Sequence, residues 1–235
     1  MILPRAWSTE ARALILLALP LVIGNLAWSL IAATDLLLIG HLGADAVAAA
    51  ALALNLYNGF MVIGMGVGMA MSPMIASERG RKPHSVRDIR RTVRQSVWAI
   101  ATLCLPIWLI LWHSETVFLA LGQAPDLSAD AAMLMRGLQW ALLPFLMFFV
   151  ARNFMGALER PIWGVIIVLV TLPVNLLVGW ALIFGHLGLP ALGLFGAGLA
   201  SSISAAFMLV SALFVVSLDR GFRRYHLLGR FWVTD

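Results

Sequence analysis

Residues 13–40 read ALILLALPLVIGNLAWSLIAATDLLLIG, an apolar run whose only formal charge is the carboxylate of Asp35. A helix needs roughly 20 such residues to cross about 30 Å of hydrocarbon, so this run is long enough to span a membrane. An ionised carboxylate is costly at that depth. Acids in membrane helices therefore face a protein interior or a wet cavity and mark ion or proton paths. Asp35 and Asp45 are the only formal charges between Arg12 and Glu78.

The remainder of the chain has the same character. Of 235 residues 62% are hydrophobic and 11% charged, with a mean hydropathy of +0.95, a balance that a soluble domain of this length does not show. Long apolar runs, rather than the ten-residue alternation of an outer-membrane barrel, predict an all-α membrane protein. Six spans are expected, at about 13–40, 46–77, 95–119, 129–151, 161–186 and 193–218. The first run is far longer than a signal-peptide core and has no cleavage pattern after it, so it reads as a retained helix. The single Cys104 excludes an internal disulfide framework and a multi-cysteine metal site.

A net charge of +5 and a pI near 10.6 would suggest nucleic acid in a soluble protein. Here the placement of the charges gives a different reading, with no nucleic-acid partner. Of the 16 basic residues, the six-span map leaves only Arg136 on one side. Arg5, Arg12, the group from Arg79 to Arg94, Arg152, Arg160 and the group from Arg220 to Arg230 fall on the other. Basic residues concentrate on the cytoplasmic side, so both termini are expected there. The polar stretch 78–94 reads as a segment at the lipid surface, and the basic, aromatic tail 219–235 as an interfacial cytoplasmic connector.

Within the first span Asn25, Trp28, Ala32 and Asp35 fall in an arc of about 80° of a helix, a polar strip unsuited to lipid. It should line a helix contact or a cavity. Desolvation there favours the neutral acid, so Asp35 could take up and release a proton. It could equally hold sodium, a hard cation that wants oxygen ligands, and the sequence leaves both open. Pro20, on the same helix, is a candidate hinge, and Pro106, Pro144 and Pro173 are further kink positions. Asn175, beside Pro173, is the candidate second polar group of the cavity. Asn55 and Asn58 lie in the second span, and Asn153, beside Arg152, reads as interfacial. The small residues Gly64, Gly66 and Gly68, and the set Gly193, Gly196, Gly198, Ser201, Ser202 and Ser204, read as close helix packing.

No enzyme constellation stands out. The sequence has no His-Glu-x-x-His and no Gly-x-Ser-x-Gly, its five histidines lie mostly at span ends, and the glycines at 64–68 lack the Lys–Ser/Thr pair of a phosphate loop. No organic cofactor is expected.

Pro20-Leu-Val-Ile-Gly-Asn25 followed by Asp35-Leu-Leu-Leu-Ile-Gly-His-Leu-Gly43 resembles the first helix of multidrug and toxic compound extrusion (MATE) transporters. The resemblance continues through Arg152-Asn-Phe-Met-Gly-Ala-Leu-Glu-Arg-Pro161, Pro173-Val-Asn175 and Gly193-Leu-Phe-Gly-Ala-Gly-Leu-Ala200. It implies one of the two pseudo-symmetric six-helix bundles of such a transporter, the amino-terminal one, occupying 1–218. The tail 219–235 is then similar to the linker toward a second bundle, and the chain to a fragment or to a half that pairs with another chain.

The implied function is antiport of organic, often cationic, compounds against protons or sodium across a bacterial inner membrane. The implied roles are cation binding at Asp35 with Asn175 as partner, and bending at Pro20. Gly179 and Trp28 stand where some members carry an acid and a glutamine, so a complete polar network within this bundle is not expected. A lipid-linked precursor flippase and a non-transporting membrane subunit are the alternative readings.

Overall fold

The computed structural model describes residues 4–81, 86–158 and 160–223, with side chains described for these except 4–18, 20, 21, 76, 78–81, 220 and 223. Helices account for nearly all of it: α1 (Pro4–Gly40), α2 (Ala44–Arg81), α3 (Val86–Trp112), α4 (Ser114–Ala120), α5 (Pro125–Leu138), α6 (Leu142–Ala157), α7 (Ile162–Phe184), α8 (Gly193–Leu218) and the short α9 (Arg220–Arg223). No strand occurs among the described residues. In hydrocarbon no water satisfies the backbone, and a helix closes all its bonds within one segment. Six segments are long and apolar enough to cross a membrane: Val22–Gly40, Ala44–Ile75, Val86–Trp112, Pro125–Ala157, Ile162–Phe184 and Gly193–Leu218. The chain is an integral membrane protein built as a six-helix bundle.

Where side chains are described, the third and fourth spans differ in their bounds from the sequence expectation by more than two residues. The third begins at Val86 rather than near 95, because the basic stretch and the apolar stretch form one continuous helix. Ile89, Val93 and Ser96 are buried on its inner face. It ends at Trp112, not 119: a turn at His113 separates it from α4, which starts at Ser114 with Glu115 in its first turn. The fourth span is longer than expected and is not one helix. Pro125 sits in the first turn of α5, where its missing N–H costs nothing, and a 3₁₀ turn at Gln139–Ala141 joins α5 to α6. Pro144 explains the turn, since it has no N–H for the carbonyl of Trp140 and its ring crowds that carbonyl. The neighbouring Gln139 carbonyl accepts from the Trp108 indole at 2.9 Å.

The span from Pro125 to Ala157 is the most enclosed of the six, with α2, α3 and α8 packed around it. Helices α7 and α8 pack along each other, and α1 lies on α7. Backbones approach most closely where α5 crosses α8. A methyl group on Gly137 would lie 2.6 Å from the Phe195 carbonyl oxygen, and one on Gly198 would overlap the Leu134 carbonyl oxygen. At this crossing the Ser202 hydroxyl donates to the Gly137 carbonyl at 2.6 Å. The packing role expected for the small residues of α8 is visible here.

Beyond Leu218 the chain folds back. Asp219 pairs with Arg160 at 2.6 Å and accepts the Gly221 amide at 2.7 Å. Phe222 is buried against Phe154, their ring centroids 5.8 Å apart. Of the expected connector 219–235, residues from 224 onward lie outside the described residues. The ion pair, whose Arg160 end is about half exposed, should contribute only about 1 kcal/mol, whereas removing a buried ring opens a cavity. Phe222→Ala should therefore lower the thermal unfolding midpoint of the detergent-solubilised protein clearly more than Arg160→Ala.

Candidate functional site

Three helices bring polar atoms to one point beside a cavity of about 260 Å³. From α1, Asp35 presents its carboxylate. From α7, Asn175 donates through Nδ2 to Asp35 Oδ1 at 3.0 Å. From α8, the Ser201 hydroxyl lies 3.2 Å from Asp35 Oδ2 and 3.3 Å from the Ala197 carbonyl, its one proton serving either acceptor. Asn175 is fully buried, and its Oδ1 has no hydrogen-bond partner. Ser204 Oγ, lining the same cavity, also lacks one.

A half-buried carboxylate with two donors and unpartnered oxygens beside it makes an electronegative, oxygen-rich pocket in apolar surroundings. Such a site can accept a proton on the carboxylate or enclose a hard cation in oxygen ligands. Either would compensate the charge, which is costly if left alone in the bundle. Among the described residues no group of three His, Cys, Asp or Glu side chains gathers anywhere, so the oxygens come from one carboxylate and neutral groups.

The strip on α1 reaches two cavities. Trp28, Ala32 and Asp35 line the first; Asn25 and Trp28 line a second, of about 370 Å³. Trp28, Met61 and Phe145 border both, and the Trp28 and Phe145 rings stand 4.8 Å apart between centroids, forming a shared aromatic wall. Asn55 does not line either cavity. It is exposed, while Asn58, about 60° round α2 by helical geometry, borders the Asp35 cavity together with buried Tyr57. Helix α1 runs unbroken past Pro20, whose side chain lies outside the described residues, as does any hinge reading of it.

Sequence alone marks Ser201 as a small packing residue, and here it is also a partner of Asp35. A hydroxyl following a glycine-rich run is the only signal of that second role. Gly179, one turn beyond Asn175, faces α1: a methyl group there would lie 2.8 Å from Leu38 Cδ1. An acid at that place would meet packed apolar surface.

The described structure is thus a six-helix bundle with a carboxylate on its first helix beside a partly open cavity. The family model for MatE matches residues 20–181. The chain belongs to this family, the one its motifs resemble. It is 48% identical over 229 residues to "Probable multidrug resistance protein NorM" of Mesorhizobium japonicum, an alignment covering 97% of this chain and 49% of that protein. It is 37% identical over 230 residues to the protein of that name from Rhodopseudomonas palustris, covering 98% and 48% respectively. The chain thus spans about half the length of the relatives it matches.

Among solved structures, the eukaryotic MATE transporter AtDTX14 matches with a TM-score of 0.80 at 16% identity, over 95% of this chain and 50% of that one. A MATE structure in the bent conformation matches with a TM-score of 0.76 at 19% identity, over 89% and 46%. At these identities the structures show the fold alone.

Proposed function

We propose that this bundle supplies the cation-binding half of an antiporter that exports organic, often cationic, compounds against protons or sodium. The observation that carries the reading is the Asp35 carboxylate held by Asn175 and Ser201 beside a partly open cavity. The cation neutralises Asp35 when it arrives from outside. Neutralisation weakens the charge-assisted bonds from Asn175 and Ser201, so the seam between α1, α7 and α8 favours a different packing with the cation bound. Pro20, on α1, is the proposed bending point of that change. Loss of the cation on the other side restores the bonds, and the two arrangements alternate access to the cleft.

In this reading a second six-helix bundle, on the same polypeptide or another, forms the opposite wall of the cleft. The protein lies in a bacterial inner membrane with both termini cytoplasmic, as the distribution of basic residues implies. It needs no organic cofactor, and its chemistry is binding and release rather than catalysis.

The two neutral partners give a graded test. Asn175→Leu removes the shorter bond and leaves the carboxylate without its buried amide, a loss of about 1.5–3 kcal/mol for a bond to a charged group. Gradient-driven dye efflux by the full-length protein in proteoliposomes should fall by about tenfold or more. Ser201→Ala removes a longer bond whose proton is shared with Ala197 and should have a smaller effect. Asn175→Leu efflux equal to wild type would remove Asn175 from the site.

A further inference from the structure

The second cavity carries its own charge. Arg152, on α6, is half-buried, five residues before that helix ends at Ala157, and lines this cavity. Its stem crosses the face of α7, where a methyl group on Gly164 would sit 3.0 Å from Cγ, and its guanidinium reaches α1, where one on Gly24 would sit 3.5 Å from Nη2. The two glycines open a path for it across the cavity. Among the described residues no carboxylate pairs with Arg152 and no acid lines this cavity.

The other polar lining groups are the amides of Asn25 and Asn153, the latter donating to the Gly68 carbonyl at 3.3 Å. Most of the remaining wall is soft and apolar, with Met61, Met65 and Met69 from α2 and Phe145, Phe148 and Phe149 from α6 beside the indole of Trp28. A half-buried guanidinium is better compensated by an anion than by water alone. Methionine and phenylalanine together make an adaptable surface for a flat or chain-like apolar body.

We infer that this cavity is a binding site for an amphipathic organic anion, whose carboxylate or phosphate pairs with Arg152 while its apolar body lies on the methionines and phenylalanines. The site stands apart from the cation site. Gly24 and Asp35 are eleven residues apart on α1, about 16 Å of helix rise, and the two cavities, which share Trp28, Met61 and Phe145, divide the charges between them, Asp35 in the first and Arg152 in the second. Planar guanidinium fits both anion types through paired N–H donors. A soluble aromatic acid and the phosphate of an anionic lipid are the two sources of that chemistry, and the experiment separates them.

The full-length protein in phosphatidylcholine nanodiscs is titrated calorimetrically with naphthoate and with its neutral counterpart naphthylmethanol. Naphthoate should bind about tenfold tighter or better, the worth of a charge-assisted hydrogen-bonded pair. Arg152→Gln should remove that preference and leave naphthylmethanol binding unchanged. Met65→Trp, which fills the apolar part and spares the arginine, should weaken both ligands and keeps the test decisive if Arg152→Gln does not fold. Replacing part of the lipid with phosphatidylglycerol assigns the source. Competition seen in wild type and lost in Arg152→Gln identifies a lipid phosphate as occupant, and naphthoate binding unaffected by the lipid identifies a soluble acid. Equal affinity for naphthoate and naphthylmethanol in wild type, or naphthoate binding unchanged by Arg152→Gln or by Met65→Trp, would overturn the assignment. None of these readouts depends on efflux, so the cation reading stands or falls separately.

Discussion

Asp35→Asn should reduce gradient-driven efflux by the full-length protein to the level of empty vesicles while leaving insertion and folding intact. The substituted amide has nearly the shape of the carboxylate and keeps one oxygen for the Asn175 donor, while its NH2 can donate to Ser201 Oγ, whose own proton then goes to the Ala197 carbonyl. What it loses is the negative charge, and with it the capacity to take up a proton or balance sodium. Removing a charge from the bundle interior also removes its desolvation cost, so the thermal midpoint should be unchanged or higher. This separates the substitution from an ordinary structural lesion, which would lower both activity and stability. Efflux at the wild-type rate in Asp35→Asn would place the coupling elsewhere, in a second bundle for example.

A second large effect is expected where α5 and α8 cross. Gly198→Leu forces a side chain into backbone: its first carbon would overlap the Leu134 carbonyl oxygen and lie 2.6 Å from the Leu138 nitrogen. Backbone cannot rotate away as a side chain does, so the two helices must separate and the Ser202 bond to Gly137 must break. Overpacking of a well-fitted interior costs about 1–3 kcal/mol even where side chains can adjust, and total stability is only about 5–15 kcal/mol. The Gly198→Leu protein should lose its monodisperse peak on size exclusion and most of its membrane-inserted yield. Gly66→Ala is the matched control, because a methyl group there meets nothing within 4 Å. A Gly198→Leu protein as well behaved as Gly66→Ala would show that the crossing is looser than described.

The fold is legible in the sequence because the bilayer imposes a length rule that local sequence obeys. Each run of about 20 apolar residues has to become a helix whatever packs against it, and the chain from Ala13 to Leu218 divides accordingly. The interruptions are less legible. Whether Arg87 to Arg94 forms a separate surface helix or the first turns of α3 depends on what Ile89 and Val93 pack against, and that is a tertiary matter. The 3₁₀ turn before Pro144 follows from the same proline rule that predicts a kink, but its place also involves Trp108, distant in sequence.

At the site, Asp35 is conspicuous because acids are rare in membrane helices, and Asn175 because it sits beside a proline in an apolar run. Ser201 is not, since a serine among glycines and alanines serves packing equally well. Its role depends on the rotation of α8 relative to α1, which no local pattern encodes. Asn55 and Asn58 illustrate the same limit: two amides about one turn apart on α2, of which only Asn58 borders the cavity. In the sequence Arg152 reads only as one of the basic residues on the cytoplasmic side. Only the glycines at 24 and 164, on two other helices, reveal that it lies across a cavity.

A cation that sits on Asp35 and leaves when the exported compound binds should be detectable as it leaves. The measurement is cation release on adding ethidium, as an organic-cation probe, to the purified full-length protein, read by a pH indicator in weak buffer and by sodium NMR. Wild type should release protons or sodium in proportion to ethidium bound, and Asp35→Asn should release neither. Equal release from both proteins would contradict cation binding at Asp35.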